Sequence, residues 1–193
     1  MLNIIKQLRQ QTGVGISDCK KALDEAKGNI TKAIEILRKK GEKIIVSKQN
    51  REIKHGLIEA YIHSGGKIGA LIELGCETDF VARNEKFKAL AHDLVMQIAA
   101  TSPLYLAPED IPKEIIEKER EIIKEEFKNK KMKEEIMEKI IKGKLEKYYQ
   151  EVCLLKQPFI KDDKIKIEDL ISKEVVKLGE NIKIVRFARY SLS

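Results

Sequence analysis

Tryptophan is absent from this chain, aromatic residues make up only 5% of it, and it holds four prolines and three cysteines in 193 positions. Each scarcity argues against a class of protein. With few aromatics among the lysines, the chain lacks the stacking platforms on which single-stranded nucleic acids are bound. Cys19, Cys76 and Cys153 are odd in number, far apart and never in a CxxC pair, which argues against a disulfide framework or a zinc knuckle. Cys19 and Cys76 sit among apolar positions, where a reduced cysteine acts as a small hydrophobe. No apolar run approaches the ~20 residues needed to span a bilayer, so no membrane association is expected. Met1 leads into Leu2, Ile4, Ile5 and Leu8 at helical spacing, soon followed by charge, which is unlike a secretory signal. The expected compartment is the cytosol.

Catalytic signatures are missing too. There is no GxxxxGK[ST] loop, no GxGxxG after a strand and no GxSxG elbow. His55, His63 and His92 have no spacing to one another or to carboxylates that would build a metal site. Gly13 and Gly15 lack the preceding strand of a phosphate cradle and read better as helix-ending glycines. No catalytic residue, metal or cofactor is expected, and the chain reads as a binding protein rather than an enzyme.

What is present is charge and helical periodicity. Charged residues make up 36% of the chain, hydrophobic residues 42%, and the net charge is +7. That excess is uneven: residues 1–54 hold 13 Lys/Arg against 6 Asp/Glu, and residues 55–193 hold 25 of each. A basic N-terminal segment can steer a chain toward an acidic protein or toward nucleic acid, or simply solvate a helical face.

The first forty residues read as three short helices. Ile4, Ile5 and Leu8 mark the first, which stops at Gly13-Val14-Gly15. Ser17 or Asp18 can cap the second, with Cys19, Ala22, Leu23 and Ala26 on one face before Gly28. Asn29 can cap the third, with Ile30, Ala33, Ile34 and Leu37 before Gly41. Helices this short must pack on one another, which predicts a three-helix module over 1–41. Residues 42–55, mostly charged and polar around Ile44, Ile45 and Val46, read as a partly helical tether.

The period then changes. Leu57 to His63 and Ile68 to Glu77 read as strands around a Ser64-Gly65-Gly66 turn. An irregular bridge, Thr78 to Arg83, follows, and Asn84 can cap a helix carrying the stripe Phe87, Leu90, Ala91, Leu94, Val95, Ile98 and Ala99. Pro103, Pro108 and Pro112 punctuate a connection. Residues 113–150, with 12 basic and 10 acidic residues, read as one or two solvated helices. Gln157-Pro158-Phe159 reads as a turn, Leu170 to Leu178 as a helix ending near Gly179, and Ile182 to Tyr190 as a strand joining the hairpin in a three-stranded antiparallel sheet. The fold class is α+β, with an α+β core over 56–193.

Phe80 stands out on the bridge. It admits two readings: a staple packing back on the following helix, or an exposed anchor flanked by an acid and able to wedge into another protein.

Cys76-Glu77-Thr78-Asp79-Phe80-Val81-Ala82-Arg83-Asn84 resembles the signature of the elongation factor Ts family nearly residue for residue. Leu8 to Leu23, reading LRQQTGVGISDCKKAL, resembles that family's opening motif. Met96 to Ala100, Gln157-Pro158-Phe159 and Arg186 to Tyr190 match further, in the family's order and across essentially the whole chain. Two positions depart: Val14 stands where members often have alanine, and Ile16-Ser17 where two methionines are common, so Ser17 offers less apolar surface.

The resemblance implies a ubiquitin-associated-like N-terminal module, a linker and an α+β core. It implies a non-catalytic guanine-nucleotide exchange factor in translation elongation that binds the GTPase elongation factor Tu and promotes GDP release. In that scheme Thr78, Asp79, Phe80 and Val81 form the tip that disturbs the partner's magnesium site. Glu77, Arg83 and Asn84 support it, and Arg9, Thr12, Gly13, Val14 and Ile16 supply a second contact. The chain has one core unit, as short members do, and these tend to pair, which implies a homodimer. A competing expectation, from the basic N-terminal segment, is an RNA- or ribosome-associated protein without exchange activity.

Overall fold

Buried apolar residues recur every three or four positions through most of the chain, and the computed structural model, which describes residues 2–128 and 133–192, is accordingly mostly helical. Its class is α+β: among the described residues, eight helices accompany a small antiparallel sheet. Residues 129–132, within the expected helical stretch 113–150, lie outside the described residues, as do Met1 and Ser193.

The chain divides into two compact units. The first holds the chain up to Leu57, Glu73–Leu90 and Ile171–Val185. It begins with three helices, α1 (Leu2–Thr12), α2 (Ile16–Glu25) and α3 (Ile30–Lys48). Ile5, Leu8, Cys19, Ala22, Leu23, Ala26, Ala33 and Leu37 form their shared core, with Val14, Ile30, Ile34 and Ile36 packed around it. Asn29 caps α3 as its side chain allows, Oδ1 accepting from the Lys32 N–H at 3.0 Å.

Two expectations fail here for local reasons. The N-cap of α2 is Gly15, without a side-chain bond, so Ser17 and Asp18 lie inside the first turn. Asp18 instead meets Lys40 at 2.6 Å. Nor does Gly41 end α3: it stays helical and buried, and a Cβ there would lie 3.4 Å from Val176. A glycine terminates a helix only when it takes up the left-handed conformation, as Gly28 does at φ 81°. Residues 42–48 of the expected tether are therefore helix, and only 49–54 lack regular structure.

The second unit holds Ile58–Ile72, Ala91–Leu170 and the chain from Arg186. Residues of all three strands of the sheet, β1 (His55–Ile62), β2 (Ile68–Cys76) and, after two further strands, β5 (Ile182–Ser191), occur in both units. Their order is β1-β2-β5. Gly65 and Gly66 turn the β1–β2 hairpin with φ of 92° and 69°. The seven stripe residues of the helix after Asn84 are all buried.

In the second unit, Gln97 is buried and donates to Gln157 Oε1 and the Pro158 carbonyl, while its own Oε1 accepts from the Ile160 N–H. Residues 157–160 are therefore not a simple turn. Pro158–Phe159 is a strand, β3, paired antiparallel with β4 (Asp162–Lys166). The helices of 113–126 and 134–152 pack through Ile123, Ile141 and Leu145, with Arg120–Glu138 bonded across them at 3.1 Å. No helix among the described residues is long and apolar enough to cross a membrane.

Candidate functional site

β2 ends at Cys76, a fully buried thiol that donates to the Thr78 carbonyl at 3.1 Å. Burial, with the Glu180 carboxylate nearby, pushes this thiol up to about 11, so it is neutral and inert at physiological pH. The chain then makes one short helical turn, α4 (Asp79–Ala82), in place of the irregular bridge expected from sequence. Thr78 is why. Its extended backbone starts the turn and its hydroxyl oxygen accepts from the Val81 N–H at 3.4 Å, as an N-cap does. Asn84 then opens α5 (Glu85–Thr101), its Oδ1 accepting from the Lys86 N–H at 2.9 Å.

Along this turn exposure alternates sharply. Val81 is buried, at 9% exposed, whereas its neighbour Phe80 is 87% exposed. The staple reading of Phe80 is not what the structure holds, because a stapled ring would be covered. Asp79 and Arg83 meet at 2.6 Å across one helical turn. Both are well exposed, so the pair orients two side chains without adding much stability.

Behind the turn lies an arrangement that local sequence does not reveal. Glu180 Oε2 accepts from the backbone N–H groups of Glu77 and Thr78 at 3.1 and 3.0 Å, and its Oε1 accepts from the Thr78 hydroxyl at 2.6 Å. Glu77 answers in kind: its Oε1 accepts from the Asn181 N–H at 2.6 Å, and its Oε2 meets Arg51 at 3.1 Å. Burial acts to raise the Glu77 carboxyl, but the Asn181 N–H and the Arg51 guanidinium outweigh it and hold the group below its ordinary range. Asn181, itself buried, donates to the carbonyls of Arg51 and Gln49.

Glu77, Thr78, Asp79, Phe80, Val81, Arg83 and Asn84 thus form one continuous feature. The N-terminal candidates belong to a different stretch, in and around the α1–α2 loop. Thr12 is engaged locally, donating to the Leu8 carbonyl at 2.7 Å and accepting weakly from the Val14 N–H at 3.4 Å. Gly13 adopts φ 69° against the Lys177 side chain, where a Cβ would come within 2.7 Å. Val14 is half-buried, packed against the three-helix core. Arg9 and Ile16 are exposed, Ile16 at 57%. Among the described residues, no three His, Cys, Asp or Glu side chains group to hold a metal ion.

A feature of this kind can do one thing chemically: present an aromatic ring and an acid in a fixed orientation to another macromolecule. Comparison with known proteins shows the family to which the chain belongs. A family model described as Elongation factor TS matches residues 3–193. The chain is 53% identical over 191 residues to Elongation factor Ts of Thermotoga petrophila, covering 99% of this chain and 95% of that one. It is 51% identical over 189 residues to Elongation factor Ts of Carboxydothermus hydrogenoformans, covering 98% and 87%. Elongation factor Ts of Thermodesulfovibrio yellowstonii is 53% identical over 189 residues, covering 98% and 94%. On the strength of an end-to-end match at about half of all positions, this chain belongs to the elongation factor Ts family, a family of translation elongation factors.

Proposed function

We propose that this protein is a cytosolic, non-catalytic guanine-nucleotide exchange factor that binds elongation factor Tu carrying GDP and promotes GDP release. The observation that carries this reading is Phe80, 87% exposed on a turn held by a buried Val81 and a Thr78 cap. Leaving an aromatic ring in water is unfavourable, and covering it in a partner recovers ~1.5–3 kcal/mol. Asp79 sits beside it with its carboxylate half-exposed.

In this mechanism Asp79 and Phe80 enter beside the GTPase's nucleotide site and displace groups that hold its magnesium. Magnesium bridges the nucleotide phosphates to the protein, so disturbing its ligands weakens the hold on GDP. No covalent step is needed. The factor has only to bind the nucleotide-free state better than the loaded one, with each ~1.4 kcal/mol of preference shifting the equilibrium tenfold. Thr78 and Val81 hold the wedge, and Glu77, Arg83 and Asn84 support it. The N-terminal helices, ubiquitin-associated-like by resemblance, add a second contact through Arg9, Thr12, Gly13, Val14 and Ile16. By the same resemblance the chain works as a homodimer, its core over 56–193 supplying the pairing surface.

Stopped-flow release of a fluorescent GDP from elongation factor Tu tests the proposal. Added factor is expected to accelerate release, and to go on doing so as salt rises from about 0.05 to 0.5 M, because an apolar wedge is screened little. Phosphate contacts would instead weaken steeply with salt. RNA binding that collapses with salt, with GDP release unchanged, would replace this reading by that of an RNA- or ribosome-associated protein.

A further inference from the structure

Glu180 stands 102 residues away from Thr78 in sequence, yet its carboxylate takes up three donors at the base of the Phe80 turn. We infer that Glu180 is a positioning residue for the Phe80 wedge, setting the turn's geometry before any partner arrives. The inference rests on the exchange reading above and adds to it a residue outside the 76–84 stretch.

The chemistry favours a carboxylate at this position. All three groups facing it are donors: the N–H groups of Glu77 and Thr78 on one oxygen, and the Thr78 hydroxyl on the other. An ionised carboxylate is acceptor-only, so both oxygens are matched. A glutamine would place an amide nitrogen against one donor. The hydroxyl matters doubly. By giving its one proton to Glu180 at 2.6 Å, Thr78 turns its lone pairs toward the Val81 N–H and so serves as the cap of α4. A chain of bonds therefore runs from Val81 through Thr78 to Glu180, and Phe80 lies within the loop it closes.

Glu180 is itself held. Gly179 ends α8 (Ile167–Leu178) at φ 76°, its N–H bonding the Val175 carbonyl at 2.9 Å and its carbonyl accepting from Lys48. On the other side, Asn181 donates its backbone N–H to Glu77 and its side chain to Arg51 and Gln49. β2 ends just before Glu77 and its neighbour β5 begins just after Asn181. Where the ladder of the two strands stops, each strand thus offers a carboxylate to the other's backbone. This reciprocal pair carries the alignment of the strands out to the turn that bears Phe80.

The test uses the full chain with Glu180→Ala and Glu180→Gln. It reads the maximal GDP-release rate and half-saturating factor concentration on elongation factor Tu, the melting temperature, and amide exchange at Thr78. A turn that is correctly set only part of the time contributes in proportion to that fraction. In Glu180→Ala the maximal rate is therefore expected to fall about tenfold. The half-saturating concentration should stay within about threefold, since the N-terminal contact is intact. Melting should stay within about 4 °C, and the Thr78 N–H should exchange faster. Glu180→Gln should fall between, keeping one acceptor oxygen. A wild-type maximal rate in Glu180→Ala overturns the inference. So does an equal rate loss in both variants that simply tracks a fall in melting temperature. If the wild-type protein fails to accelerate GDP release, the exchange reading fails by itself. Amide exchange at Thr78 then decides the clamp: faster in Glu180→Ala upholds it, unchanged overturns it.

Discussion

Phe80 and Val81 are neighbours in sequence and opposites in exposure, at 87% and 9%, so truncating each to alanine should separate binding from stability. In Phe80→Ala the lost ring touches little in the free protein, and a surface change of this kind stays within about 0.5 kcal/mol of neutral. For a chain of this size that is a melting shift of no more than about 2 °C. In the complex the same ring is covered, and its loss should cost ~1.5–3 kcal/mol, or roughly 10- to 150-fold in affinity. Val81→Ala behaves oppositely. It removes two buried methyl equivalents at ~0.8 kcal/mol each and leaves a small cavity, for a loss of about 1.5–2.5 kcal/mol. Melting should fall by about 3–10 °C. Differential scanning calorimetry of the free variants, followed by titration calorimetry against nucleotide-free elongation factor Tu, reads both quantities. A Phe80→Ala protein that melts well below wild type would show that the ring packs at home. One that binds with wild-type affinity would refute its role as an anchor.

Two further outcomes follow from the same surroundings. The folded Glu77 carboxyl lies below its ordinary 4.5, so its contribution to stability is fully present above that value and lost as pH falls through the lowered folded one. The melting difference between wild type and Glu77→Gln should accordingly be constant from pH 7 to about 5.5 and shrink below about 4.5. A difference that grows on acidification would reverse the sign of the account. The three cysteines are buried and unpaired, with Cys76 and Cys153 both pushed up to about 11. Ellman's reagent at neutral pH should leave the folded protein essentially unlabelled and titrate all three thiols in denaturant, whereas prompt labelling of the native protein would contradict their burial.

Legibility from sequence followed the range of the interactions involved. The Asn29 cap and the Gly65-Gly66 turn could be read because each bond is made within three or four residues. The apolar stripe from Phe87 to Ala99 could be read because its period and its burial are the same fact. Gly41 could not, since its residue type fits a helix end and a helix interior alike, and the helix runs on through it to Lys48. The β3–β4 ribbon was hidden because its two-residue first strand is held by the side chain of Gln97, which no local pattern announces. At the site, the resemblance marked Thr78 to Val81, while the residues alone left Phe80 open between staple and anchor. Its exposure removes the staple. Glu180 and Asn181 escaped notice because a carboxylate or amide aimed at backbone groups a hundred or more residues away leaves no spacing to detect.

The central claim, that an exposed Phe80 acts as a wedge releasing GDP from elongation factor Tu, is tested most directly by stopped-flow release of fluorescent GDP at saturating factor, wild type beside Phe80→Ala. Wild type should accelerate release at least tenfold and the variant should lose most of that gain, by the ~1.5–3 kcal/mol that a covered phenylalanine supplies. Unaccelerated release with wild type, or equal acceleration by both proteins, would contradict the account.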